Sequence, residues 1–124
     1  MKFSLDKQDK YTIISLEEDK LDSTISPLLK TEFITLNNEG IENFVLDLSK
    51  VRFSDSSGLS AILVANRLCT GVGGIFILTG LTEHVAKLIK ISQLDTVLTI
   101  MPTIAESVDN VFMHELERNL KNEN

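Results

Sequence analysis

Asn43-Phe44-Val45-Leu46-Asp47-Leu48-Ser49-Lys50-Val51-Arg52-Phe53-Ser54-Asp55-Ser56-Ser57-Gly58-Leu59-Ser60-Ala61-Ile62-Leu63 is the stretch whose reading decides the fold. It opens with an apolar run of strand length, Asn43 to Leu48. A polar turn carrying Phe53 follows. Asp55-Ser56-Ser57-Gly58 then leads into a second apolar segment, long enough for a helix. Strand, turn and helix in that order make the repeating unit of an α/β sheet. Ser56 and Ser57 stand where the turn becomes the helix. A helix start presents unpaired N–H groups and a partial positive charge. It therefore suits an anion, including a phosphoryl group carried by a serine. Asp, Ser and Gly are also ordinary capping residues, and the four letters alone do not separate a switch from a cap.

Working outward, Phe3 and Leu5 alternate with polar residues and predict a short first strand. Tyr11 to Leu16 predicts a second, antiparallel to it. Glu17 to Lys20 reads as a charged loop. A first helix begins between Ser23 and Pro27, with Ser26 as its cap and Pro27 at the first helical position. Its stripe is Ile25, Leu28, Leu29, Phe33 and Leu36, and Gly40 ends the segment. Beyond the central stretch, the second helix runs from near Ser57 to Thr70 and is stopped by Gly71, Gly73 and Gly74. Ile75 to Leu78 is a fourth strand, Thr82 caps a short third helix, and Thr96 to Ile100 is a fifth strand. Thr103 and Glu106 form a capping box for a last helix with Ile104, Val108, Val111, Phe112, Leu116 and Leu120 on its apolar face. Lys121 to Asn124 is expected to fray. The pattern is a single α/β domain over residues 1–120: a mixed sheet of four to five strands packed by about four helices. Apolar residues nearly encircle the second helix, so it is either fully buried or shares a face with a partner.

Composition narrows the function. The 124 residues carry a formal net charge of −6 with no Lys/Arg cluster, which argues against nucleic acid and anionic membrane. No apolar run is long enough to span a membrane, and the N-terminus lacks the apolar segment of a signal peptide. The single cysteine, Cys69, cannot form an internal disulfide and reads as a small core residue. These features fit a cytoplasmic protein. His84 and His114 are isolated and read as exposed. Neither pairs with a serine or cysteine at a nucleophile–base spacing, and no Cys/His cluster has metal-ligand spacing. Gly71-Val72-Gly73-Gly74 follows a helix and precedes a strand, the reverse of a phosphate-binding loop. Asp55 is a candidate base for Ser56, but a local bond to the turn backbone is the simpler role. The chain reads as a non-enzyme without cofactor or metal.

The central motif in its strand–turn–helix setting resembles the STAS domain family, the bacterial anti-sigma factor antagonists and their relatives. Lys20-Leu21-Asp22 resembles that family's Gly-x-Leu-Asp segment. Gly73 to Leu78 resembles its next strand, and Leu88 to Leu94 its helix ending in a Ser/Thr-Gly-Leu turn. Two departures stand out. Asp19 lies where the glycine of the first segment often falls, and Gln93 replaces the glycine of the last. The resemblance implies an anti-anti-sigma factor. Its unphosphorylated form would bind an anti-sigma factor that is also a serine kinase. Phosphorylation of Ser56 would dissolve the complex, and a serine phosphatase would restore it. The implied partner surface is Asp22, Asp55, Ser56, Ser57 and Gly58, with Leu59 and Ile62 on the flank of the second helix. Gly58 would allow close approach of the partner's backbone. The same fold also serves as a subunit of lipid-transport ATPase complexes or as a scaffold, where no serine need be modified.

Overall fold

The computed structural model describes residues 1–122. Its elements in chain order are β1 (Phe3–Lys7), β2 (Thr12–Leu16), β3 (Lys20–Leu21), α1 (Ser26–Asn38), β4 (Phe44–Asp47), β5 (Phe53–Ser54), α2 (Ser56–Gly71), β6 (Phe76–Thr79), α3 (Glu83–Ile91), β7 (Thr99–Met101) and α4 (Ile104–Asn122). A five-stranded sheet has the order β1-β2-β4-β6-β7, antiparallel between β1 and β2 and parallel thereafter. β3 and β5 form a separate two-stranded parallel pair.

Alternation along the central strands sends side chains to two layers. Ile14, Leu16, Phe44, Leu46, Phe76 and Leu78 face the main core, which they share with α1, α2 and α3. Phe33 of α1 meets Phe44 and Phe76 there, at ring-centroid separations of 5.4 and 6.0 Å. Ile13, Val45 and Ile77 face the other way, onto Val111 of α4. Four helices thus cover both faces of the mixed sheet, as the strand–helix alternation predicts.

The structure corrects several details. Ser26 is the first helical residue, not the cap; the cap position is Ile25, which has no side-chain acceptor. Leu28 points outward, because of two adjacent apolar residues only Leu29 can face the core. The fifth strand starts three residues late, because Leu94–Thr96 forms a turn of 3-10 helix first. On α4, Val111 is buried and Val108 half-buried, while Ile104, Phe112, Leu116 and Leu120 are exposed. Polar side chains dock the second half of that helix instead. Arg118 reaches Glu42 at 3.1 Å and the Val72 carbonyl at 2.8 Å, and Glu115 accepts from Asn43 at 2.9 Å. Helix α4 continues through Lys121 and Asn122, and the remainder of the expected frayed tail lies outside the described residues.

Candidate functional site

The β3–β5 pair holds the two candidate segments side by side. The Leu21 carbonyl accepts from Ser54 Oγ at 3.1 Å and from the Asp55 N–H at 3.3 Å. The Asp19 carbonyl accepts from the N–H groups of Arg52 and Phe53 at 2.8 and 3.2 Å. Asp19 therefore holds the seam through its backbone carbonyl, while its side chain, where the family often has glycine, lies at the exposed surface 3.7 Å from Arg52 Nε. Residues 22 and 55 leave these two short strands together.

Asp55 is the cap of α2. Its Oδ1 accepts from the Ser57 N–H at 3.0 Å, the Gly58 N–H at 3.1 Å and the Ser57 hydroxyl at 2.5 Å. The Ser57 hydroxyl above all holds its carboxyl below the ordinary aspartate range. With that oxygen committed to the helix start, Asp55 is a turn-holding residue rather than a base aimed at Ser56. Asp22 builds a second turn. Its Oδ1 accepts from the hydroxyl and N–H of Thr24 at 2.6 and 3.0 Å, and the hydroxyl is the main cause of its lowered pKa. The Asp22 carbonyl takes the N–H groups of Ile25 and Ser26, which starts α1. The two carboxylates are close enough to repel, and the Ser23 N–H reaches toward Asp55.

The two serines are in unlike states. Ser56 is the first residue of α2 and exposed, and its hydroxyl makes no hydrogen bond among the described residues. Ser57 is half-buried, with its hydroxyl between Asp55 Oδ1 and Ser26 Oγ, the latter at 3.1 Å. The structure thus brings Asp22, Asp55, Ser56 and Ser57 to one place. Gly58, Leu59 and Ile62, expected on the partner surface, lie inside the fold. A Cβ on Gly58 would overlap Ser54 Oγ and come within 2.5 Å of the Leu21 carbonyl oxygen. The missing side chain serves the seam between β3 and α2, not a partner's backbone. Helix α2 buries Ala61, Ala65 and Cys69 as well, and its exposed positions are Ser56, Arg67, Thr70 and Gly71. Burial pushes the Cys69 thiol up to about 12.

Sequence reasoning missed three neighbours. Ser26 touches Ser57, and Thr24 shapes the Asp22 turn. Phe53, 43% exposed, stacks on His84 at 5.3 Å between ring centroids. His84 is exposed as expected, whereas His114 is half-buried with Nε2 2.9 Å from the Gly73 carbonyl oxygen. Among the described residues, no group of three His, Cys, Asp or Glu side chains is arranged to hold a metal ion, and no helix is long and apolar enough to cross a membrane.

The family model of the STAS domain matches residues 2–107. The chain belongs to the STAS domain family. A Thermotoga neapolitana protein described as an anti-sigma factor antagonist homolog is 34% identical over 74 residues, 60% of this chain and 66% of that protein. The crystal structure of a Thermotoga maritima protein, also described as an anti-sigma factor antagonist, superimposes with a TM-score of 0.79. It has 27% identity and covers 88% of this STAS chain and 93% of its own. The unphosphorylated anti-sigma factor antagonist SpoIIAA has the same fold, with a TM-score of 0.71 at 23% identity over 89% of this chain and 97% of its own. SpoIIAA of Bacillus has also been solved in its phosphorylated form.

Proposed function

We propose that this STAS domain is an anti-sigma factor antagonist of the cytoplasm, switched by phosphorylation of Ser56. The observation that carries the reading is the contrast between the two serines. Ser56 offers a free, exposed hydroxyl at the start of a 16-residue helix, and Ser57 has its hydroxyl engaged on both sides. The partner is an anti-sigma factor with serine-kinase activity. It docks on the unmodified surface around Asp22, Asp55 and Ser56, and so releases its sigma factor. Within that complex the Ser56 oxygen attacks the γ-phosphorus of ATP held by the partner. ADP leaves, and the hydroxyl proton passes to a base on the partner. A serine phosphatase hydrolyses the ester and restores the binding form. This chain supplies the acceptor, and Asp55 Oδ1 is spent on the cap, so the base is assigned to the partner.

Charge explains the direction of the switch. The phosphoryl group adds about −1.5 to −2 beside two carboxylates in a chain already at −6. The helix N-terminus stabilises that charge while the surface faces water. Burying it against a partner removes its solvation, and a loss of about 1.4 kcal/mol in binding lowers affinity tenfold. The test is to incubate the protein with ATP and a kinase fraction from its own cells and map the product by mass spectrometry. Phosphate on Ser56, and a complex that forms only without it, is the expected result. Modification of Ser57 instead, or a complex indifferent to phosphate, overturns the reading.

A further inference from the structure

Ser26 is an unusual residue for the first turn of a surface helix. Its side chain is almost wholly buried, with 1% of the residue exposed. Its Oγ lies 2.7 Å from the Asp22 carbonyl oxygen and 3.1 Å from Ser57 Oγ, and Ser57 Oγ lies 2.5 Å from Asp55 Oδ1. Three oxygen–oxygen contacts therefore share two hydroxyl protons. A carboxylate is the strongest acceptor of the set, so the Ser57 proton goes to Asp55. The Asp22 carbonyl also accepts two backbone N–H groups, from Ile25 at 3.1 Å and Ser26 at 2.8 Å. The Ser26 hydroxyl donates to that carbonyl at 2.7 Å, its shorter contact, and Ser57 Oγ at 3.1 Å is the second acceptor of a three-centre bond. Ser26 thus ties the Asp22 carbonyl to the Ser57 hydroxyl, and Ser57 donates in turn to Asp55.

The chain of hydroxyls joins residues 31 positions apart. One end is fixed to the turn that carries Asp22, and the other to the cap that starts α2 and immediately precedes Ser56. We infer that Ser26 is a positioning residue of the acceptor site: through Ser57 it holds the Asp22 turn and the Ser56 helix start in register for the partner. This deepens the reading of Ser56 proposed above and rests on it. Ser26 touches neither the partner nor the phosphate. Its effect is transmitted through the geometry of groups that do.

The experiment compares wild type, Ser26→Ala, Ser26→Thr, Ser57→Ala and the double alanine variant. Each is first shown by circular dichroism to be folded at the assay temperature. The probe is ATP with the serine kinase purified from the source cells by its transfer of labelled phosphate onto wild-type protein. Ser26→Ala is expected to lower kcat/KM for Ser56 by about fivefold, since small misplacements at a reacting centre are costly. Ser26→Thr keeps the hydroxyl and should recover most of the loss. The double alanine variant should be no slower than Ser57→Ala, because the two hydroxyls act as one chain. A wild-type rate in Ser26→Ala, or losses that simply multiply in the double variant, overturns the inference and leaves the acceptor assignment standing. Should Ser26→Ala not fold, a wild-type rate in folded Ser57→Ala overturns it equally. Wild-type protein that never takes phosphate at Ser56 overturns the acceptor assignment first, and this inference with it.

Discussion

Ser56 and Ser57 differ by one position and by every measure of availability, so substitutions at Ser56 separate the fold from the proposed switch. A carboxylate at the first residue of α2 meets the positive end of the helix, worth about 0.3–1 kcal/mol, and is opposed by Asp22 and Asp55 nearby. Ser56→Asp should therefore melt within about 2 °C of wild type in a calorimetric scan. The same variant should bind the proposed anti-sigma partner at least tenfold more weakly by titration calorimetry. Ser56→Ala should bind as wild type does, because it adds no charge and removes a hydroxyl that makes no bond among the described residues. Equal binding by Ser56→Asp and wild type would remove charge as the basis of the switch. At this scale the sequence was informative where the chemistry is local. The cap by Asp55 and the exposed serine follow from adjacent letters. The contact of Ser26 with Ser57 does not, because it joins positions that only the packing of α1 on α2 brings together.

Two elements end or begin in ways that can be tested by exchange of one residue. Helix α2 starts against β3 with no room for a side chain at Gly58, where a Cβ would press on the Leu21 carbonyl. Gly58→Ala should cost about 1–3 kcal/mol, as overpacking does, measured by urea denaturation. The loss should exceed the small gain that alanine brings to an ordinary helix interior. After α3 the chain turns through Gln93 at φ 59°, the left-handed region, where the family commonly has glycine. A side chain there costs about 1–2 kcal/mol. Gln93→Gly should raise stability by about 0.5–1 kcal/mol after the extra freedom of the unfolded glycine is subtracted. A destabilised Gln93→Gly would show that the glutamine side chain contributes more than its backbone strain costs. Periodicity made the larger elements legible in advance: the apolar strand at 43–48, the helices around it and the alternation that builds the sheet. It could not reveal β3 and β5, which have two residues each and no period to detect. It also misjudged α4. That helix outreaches the short strands beneath it and is docked at its far end by Arg118 and Glu115, so apolar spacing alone did not tell which side faces inward.

Among the described residues of the whole molecule, three carboxyl groups are held below their ordinary range: Asp22 by the Thr24 hydroxyl, Asp55 by the Ser57 hydroxyl and Glu115 by the Asn43 side chain. A carboxyl with a depressed folded pKa contributes stability that is complete above its unfolded value. That contribution is lost as pH falls through the folded value. Unfolded Asp and Glu titrate at about 3.9 and 4.3, so the contribution of these groups should be level from about pH 5 upward and fall below about pH 4. Thermal scans across that interval should show the fall, and Glu115→Gln should reduce its slope while lowering the plateau. A slope unchanged in Glu115→Gln would remove that residue from the account. The pairing of β3 with β5 has a consequence of another kind, concerning time. Leu21 and Ser54 meet across a chain separation of 33 residues, with α1 and β4 lying between them. The surface around Ser56 therefore does not exist on a nascent chain or on one that has opened at this seam, although the letters Asp-Ser-Ser-Gly are all there. A partner that recognises the assembled surface inspects two things in one encounter: whether the serine is bare, and whether the molecule carrying it has finished folding.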